Sequence, residues 1–125
     1  MPTPLRVLIL EDNPNDYELE LHQLRRAGYE PQAVRVETAA EFSARLDPAL
    51  DLIIADYSLP QFAGLRALEI VRARELDVPF IIVSGTIGEE IAISALQAGA
   101  ADYVIKDRLA RLGSAVTRAL EEKRL

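Results

Sequence analysis

Two apolar runs in this chain end in acid. VLILED (residues 7–12) closes on Glu11 and Asp12, and LIIAD (residues 52–56) closes on Asp56. Two more end in other polar groups: PFIIVS (79–84) in Ser84, and DYVIK (102–106) in Lys106. Of the 14 basic residues only Lys106 and Lys123 are lysines, and Lys123 lies in the charged tail. Where arginine is the habit, a lysine at the end of an apolar segment needs a reason.

Carboxylates, a hydroxyl and a compact ammonium are the groups that hold a hard cation and a phosphoryl group. Gathered together, the acids repel: two charges about 4 Å apart cost on the order of 4 kcal/mol at an effective dielectric of about 20. Mg²⁺ removes the difficulty, because it takes oxygen ligands and commonly sits on one or two carboxylates, waters and a phosphate. About +2 from the ion and +1 from the lysine offset the roughly −3 of the acids. A carboxylate is itself a nucleophile for phosphoryl transfer, forming an aspartyl phosphate. The rest of such a site has only to position groups and stabilise charge.

Five segments read as the strands that would carry these residues: 5–10, 32–36, 51–56, 79–84 and 102–106. The first, third and fourth are continuously apolar and rich in Val and Ile, as strands covered on both faces are. The second alternates through Ala33, Val34, Arg35 and Val36, and reads as an edge. Helices fall between them. Pro14 suits a first turn, Tyr17, Leu21 and Leu24 repeat at helical spacing, and Gly28 fits the stop. Thr38 and Glu41 match a capping box, with Phe42 and Leu46 on one face. Leu65, Leu68 and Val71 share a face of a third helix. A fourth runs from about Glu89 to Ala98 and ends at Gly99. Gly113 in DRLARLGSAV implies a loop or single turn first, then a helix over 114–124.

Strands alternating with helices predict an α/β, flavodoxin-like (βα)5 domain: a parallel sheet in order 2-1-3-4-5 between two helical layers, with residues 1–125 as one domain. Ligands in such folds bind beyond the carboxyl ends of the strands, where strand order reverses. That places Asp12 beside Asp56, with Ser84 and Lys106 on the same rim.

Composition narrows the class. A net charge of −6 argues against nucleic acid or an anionic membrane as a direct partner. With no cysteine, disulfides and thiolate metal sites are excluded. Neither a signal peptide nor a membrane span is visible, so the expected setting is soluble and cytoplasmic.

In this order and spacing the residues resemble the receiver domain of two-component response regulators. Supporting marks are Pro60 and Gly64 in DYSLPQFAG, SGTIGEE after the fourth strand, and ALQAGAADYVIK before the lysine. The resemblance implies Mg²⁺-dependent transfer of a phosphoryl group from the phosphohistidine of a histidine kinase, or from a phosphotransfer protein, to Asp56. Glu11, Asp12, Asp56 and the main-chain carbonyl of Ser58 would bind the metal, and Ser84 and Lys106 would assist the transfer. Ser84 and the aromatic Tyr103 would then switch the face made by helix 4, strand 5 and helix 5, to be read by a downstream output domain or protein. Such a domain catalyses its own phosphorylation and dephosphorylation without turning over a separate substrate. No output segment is visible in the chain.

Three departures stand out. Glu11 replaces the commoner Asp, Ala63 replaces an acid, and Asp107 follows the lysine where the family usually has a proline with a cis bond. A cis bond before a non-proline residue costs about 3 kcal/mol, which predicts a trans Lys106–Asp107 bond, a rerouted connection and an unusual output face.

Duller readings stand beside these. Asp12 reads equally as a helix N-cap, Ser84 alone as a turn residue, Tyr103 as a half-buried aromatic at an edge, and His22 as solvent-facing. A pseudo-receiver, an interaction module with little or no phosphorylation-dependent switching, is the alternative function, kept open by Asp107. A flavodoxin-like cofactor binder would want a Ser/Thr/Gly loop where EDNPND stands. An aspartyl phosphatase would want an acid at Ser58.

Overall fold

The structure, a computed structural model, describes residues 1–57, 64–85 and 88–124. Its strands are β1 (Thr3–Leu10), β2 (Tyr29–Val36), β3 (Leu52–Asp56), β4 (Phe80–Ser84) and β5 (Asp102–Ile105). All pair in parallel, in the order β2-β1-β3-β4-β5. The helices are α1 (Pro14–Arg26), α2 (Ala39–Arg45), α3 (Gly64–Ala73), α4 (Glu89–Gln97) and α5 (Leu112–Arg124), with a 3₁₀ helix over Lys106–Arg111.

Side chains alternate between the faces of the sheet, as a period of two requires. Leu8, Leu10, Ile53, Ala55, Phe80 and Ile82 pack with Phe42 of α2, Leu68 and Val71 of α3, and Ala95 of α4. Val7, Ile9, Leu52, Ile54, Ile81 and Val83 pack with Leu21 and Leu24 of α1, and Leu112 and Val116 of α5. β3 and β4 are buried throughout, which accounts for their unbroken apolar sequence. β2 alternates half-buried and exposed positions along one edge, with only Val36 buried, and there the lost donor of Pro31 is tolerated. It pairs with β1 from Thr3↔Tyr29 onward, so both strands start earlier than their hydrophobicity suggests.

Asn13, not Asp12, caps α1: its side chain accepts hydrogen bonds from the N–H groups of Asn15 and Asp16. The capping box at Thr38 and Glu41 is present, with both hydrogen bonds made. His22 is exposed, as expected. Tyr103 differs: at 7% exposure it is buried, because α4 covers its edge of the sheet. No helix among the described residues is long and apolar enough to cross a membrane.

The C-terminal third departs most from the sequence reading. β5 stops at Ile105, and Lys106 opens the 3₁₀ helix. No cis peptide bond occurs among the described residues, so Lys106–Asp107 is trans as predicted. Gly113 does not mark a break; it lies in the first turn of α5. A Cβ there would stand 2.7 Å from Cβ of Ala27, at the end of α1. The glycine serves close helix packing. Gly113→Ala, which in a free helix gains up to about 1 kcal/mol, should here cost about 1–3 kcal/mol through overpacking. A thermal melt checks the sign, and a higher melting temperature would refute the contact.

Candidate functional site

Three acids meet at the carboxyl end of the sheet. One carboxylate oxygen from each of Glu11, Asp12 and Asp56 lies within 4.8 Å of the others. Glu11 and Asp56 are buried and Asp12 is exposed at the mouth. Backbone bonds hold them in place. Glu11 N–H donates to Val36 O at 3.0 Å, and Tyr57 N–H to Val83 O at 2.9 Å. Gly64, at the start of α3, comes so close that a Cβ would lie 3.0 Å from the carbonyl oxygen of Asp56. Ser84 is fully buried at the end of β4, whose Val83 is the register partner of Asp56.

Lys106 closes the group. Its Nζ lies 2.8 Å from Asp56 Oδ2, 3.1 Å from Glu11 Oε1 and 2.7 Å from Asp16 Oδ2. The Asp16 and Asp56 contacts are hydrogen bonds. The Glu11 contact is an ion pair only, and Glu11 Oε1 is a buried oxygen with no hydrogen bond. The other oxygen of Glu11 accepts from Asn13 N–H at 3.2 Å. Burial pulls the lysine's pKa down, but the hydrogen bonds it donates to Asp16 and Asp56, with the nearby Glu11 carboxylate, outweigh it and hold the ammonium charged. For Glu11 burial dominates: with Asp56 adding repulsion against the help of Asn13 N–H and Lys106, its carboxyl is pushed up to about 7.

These groups fit a hard divalent ion. The donors are all oxygen, three carboxylates converge, and a buried acceptor lacks a hydrogen bond. Of the residues named from sequence, Glu11, Asp12, Asp56 and Lys106 are brought together, and Ser84 lies on the neighbouring strand. Ser58 lies outside the described residues. A cavity of about 450 Å³ lined by Arg6, Gln32, Arg45 and Asp47 contains none of these acids.

Sequence reading missed two residues, Asp16 and Glu20. Asp16 grips the lysine. Glu20, one turn further along α1, is 1% exposed, and neither of its carboxyl oxygens has a hydrogen-bond partner. Burial first, then repulsion from Glu11 against the attraction of Lys106, pushes its pKa up to about 9. A cavity of about 30 Å³ beside it is lined by Asp16, Leu19, Val83, Lys106 and Leu109. The signal was the spacing 16, 20, 24, which places both acids on the stripe of buried Leu24. The apolar series 17, 21, 24 concealed it.

Comparison with known proteins agrees with this geometry. Residues 7–117 match the family described as the response regulator receiver domain. Regulatory protein AtoC of Escherichia coli is 33% identical over 118 residues, covering 93% of this chain and 25% of that protein. Chemotaxis protein CheY1 of Helicobacter pylori is 29% identical over 106 residues, covering 82% of this chain and 85% of that protein. The chain thus spans about a quarter of the first relative and most of the second. Among solved structures, the receiver domain of a putative Luxo repressor protein from Vibrio parahaemolyticus superposes with TM-score 0.80 at 26% identity, covering 97% of this chain and 93% of that one. That of the putative response regulator NarL from Mycobacterium tuberculosis gives 0.81 at 24% identity, covering 96% and 98%. With its fold, its converging acids and a family match over nearly its whole length, this chain belongs to the response regulator receiver domains.

Proposed function

We propose that Asp56 accepts a phosphoryl group from a partner's phosphohistidine, making this chain a phosphorylation-dependent signalling module. The observation that carries the reading is Asp56 itself: a buried carboxylate 2.8 Å from the Lys106 ammonium, in a group of acids that fits a divalent ion. Glu11, Asp12 and Asp56 would hold Mg²⁺, together with the main-chain carbonyl of Ser58. When bound, the ion neutralises charge on the phosphoryl oxygens.

A carboxylate oxygen of Asp56 forms the new O–P bond as the N–P bond of the phosphoimidazole breaks, and the imidazole leaves on the donor. Lys106 Nζ pairs with one phosphoryl oxygen, and the hydroxyl of Ser84 donates to another. Those contacts bias the face of α4, β5 and α5, where Tyr103 is the aromatic that responds. A downstream domain or protein reads that face, and a histidine kinase or phosphotransfer protein supplies the phosphoryl group. The module works in the cytoplasm.

Incubation with acetyl phosphate and Mg²⁺ should place one alkali-labile phosphoryl group on each chain, and EDTA should abolish it. Absence of label at saturating magnesium would defeat the reading. Mg²⁺ alone should raise the melting temperature, with stabilisation of about 2.7 kcal/mol at a hundredfold excess over its dissociation constant.

A further inference from the structure

Asp16 offers the shortest of the lysine's three contacts, yet it stands outside the carboxylates that fit a cation. Its position is set firmly. Asn13 caps α1 through the N–H groups of Asn15 and Asp16, and Pro14 opens the helix. The Asp16 side chain is 30% exposed and that of Lys106 22%, so the pair sits at the rim of the site.

The other two partners of Lys106, Glu11 and Asp56, are oxygens that a divalent ion would also use. An ammonium 2.8 Å from Asp56 and 3.1 Å from Glu11 competes with that ion for the same charge. Asp16 is the one partner of the three that the ion leaves free. We propose that Asp16 is a positioning residue, which draws the Lys106 ammonium toward α1 so that Glu11 and Asp56 can bind the cation. It then keeps the same ammonium within reach of the group on Asp56. This role rests on the cation site proposed above.

Routing through the lysine gives the proposal its test, a double-mutant cycle on Mg²⁺ affinity read from thermal melting, with far-UV circular dichroism as a check on folding. Asp16→Asn should weaken Mg²⁺ binding roughly fivefold, about 1 kcal/mol, because the ammonium falls back on Glu11 and Asp56. Lys106→Met should bind Mg²⁺ more tightly than the native chain, and adding Asp16→Asn to it should change affinity less than about twofold. Asp16→Glu, which still reaches the ammonium, should recover most of the loss.

An equal loss in both backgrounds would mean that Asp16 acts on the ion through its own charge, and would overturn the proposal. So would unchanged affinity in Asp16→Asn. If the native chain shows no Mg²⁺ stabilisation, the cation site fails and this inference with it. Native binding with no effect of Asp16 defeats the inference alone.

Discussion

Asp56→Asn should take up less than a hundredth of the phosphoryl group that the native chain accepts from acetyl phosphate, and should remain folded. An amide lacks the anionic oxygen that attacks phosphorus, and the neighbouring Glu11 is buried with its carboxyl raised toward neutral pH. The fold survives because Lys106 keeps Asp16 at 2.7 Å and Glu11 at 3.1 Å, so its charge is not orphaned. Removing one of three gathered charges also lifts a repulsion on the order of 3 kcal/mol per pair at an effective dielectric of about 20. Melting temperature and alkali-labile label, measured on one preparation, separate loss of chemistry from loss of fold. Undiminished label in Asp56→Asn would move the acceptor to another residue.

Replacing Glu20 should change both the stability of the chain and its dependence on pH. A carboxyl with pKa about 9 in the folded chain and about 4.5 unfolded is protonated when folded and ionised when unfolded at neutral pH. Its sign is unfavourable. As pH rises from about 4.5 toward 9, stability falls by up to roughly 1.4 kcal/mol per pH unit for each proton retained. Glu11, raised to about 7, adds the same trend below neutrality, so pH 7.5–9 isolates Glu20. Glu20→Leu should flatten the melting temperature across that window. It should also stabilise the chain by about 2 kcal/mol, since a buried unsatisfied polar group costs about 1–3 kcal/mol. Glu20→Gln should flatten the profile with a smaller gain, because its amide still lacks partners. A Glu20→Leu chain that melts lower and keeps the native pH profile would show the carboxyl engaged in the folded state.

The sequence was most legible where chemistry and burial coincide. VLILED, LIIAD and PFIIVS are central strands whose ends carry acids or a hydroxyl, and the structure places them side by side in the expected order. Asp56 and Lys106, fifty residues apart, could be paired only because the topology brings their strand ends to one rim. What escaped was local and context-dependent. Glu20 shares YELELHQ with Glu18, His22 and Gln23 and would be taken for part of a solvated face until the helix register is known. Asn13 took the capping role that Asp12 could have filled, leaving Asp12 for the acid group. Gly113 was read as punctuation, whereas its small size answers to Ala27, far away in sequence. Tyr103 was read as half-buried because a single strand says nothing about the helix covering it.

Lys106 is also the first residue of a nearly continuous helical run: the 3₁₀ turns of Lys106–Arg111 pass directly into α5 at Leu112. Six residues at a rise of about 2 Å separate the ammonium-bearing residue from that helix by roughly 12 Å, with no slack loop between. Within them Arg108 departs from helical geometry, at φ −126° and ψ 42°. The lysine is thus tied to the last helix by a short link that bends once, at Arg108.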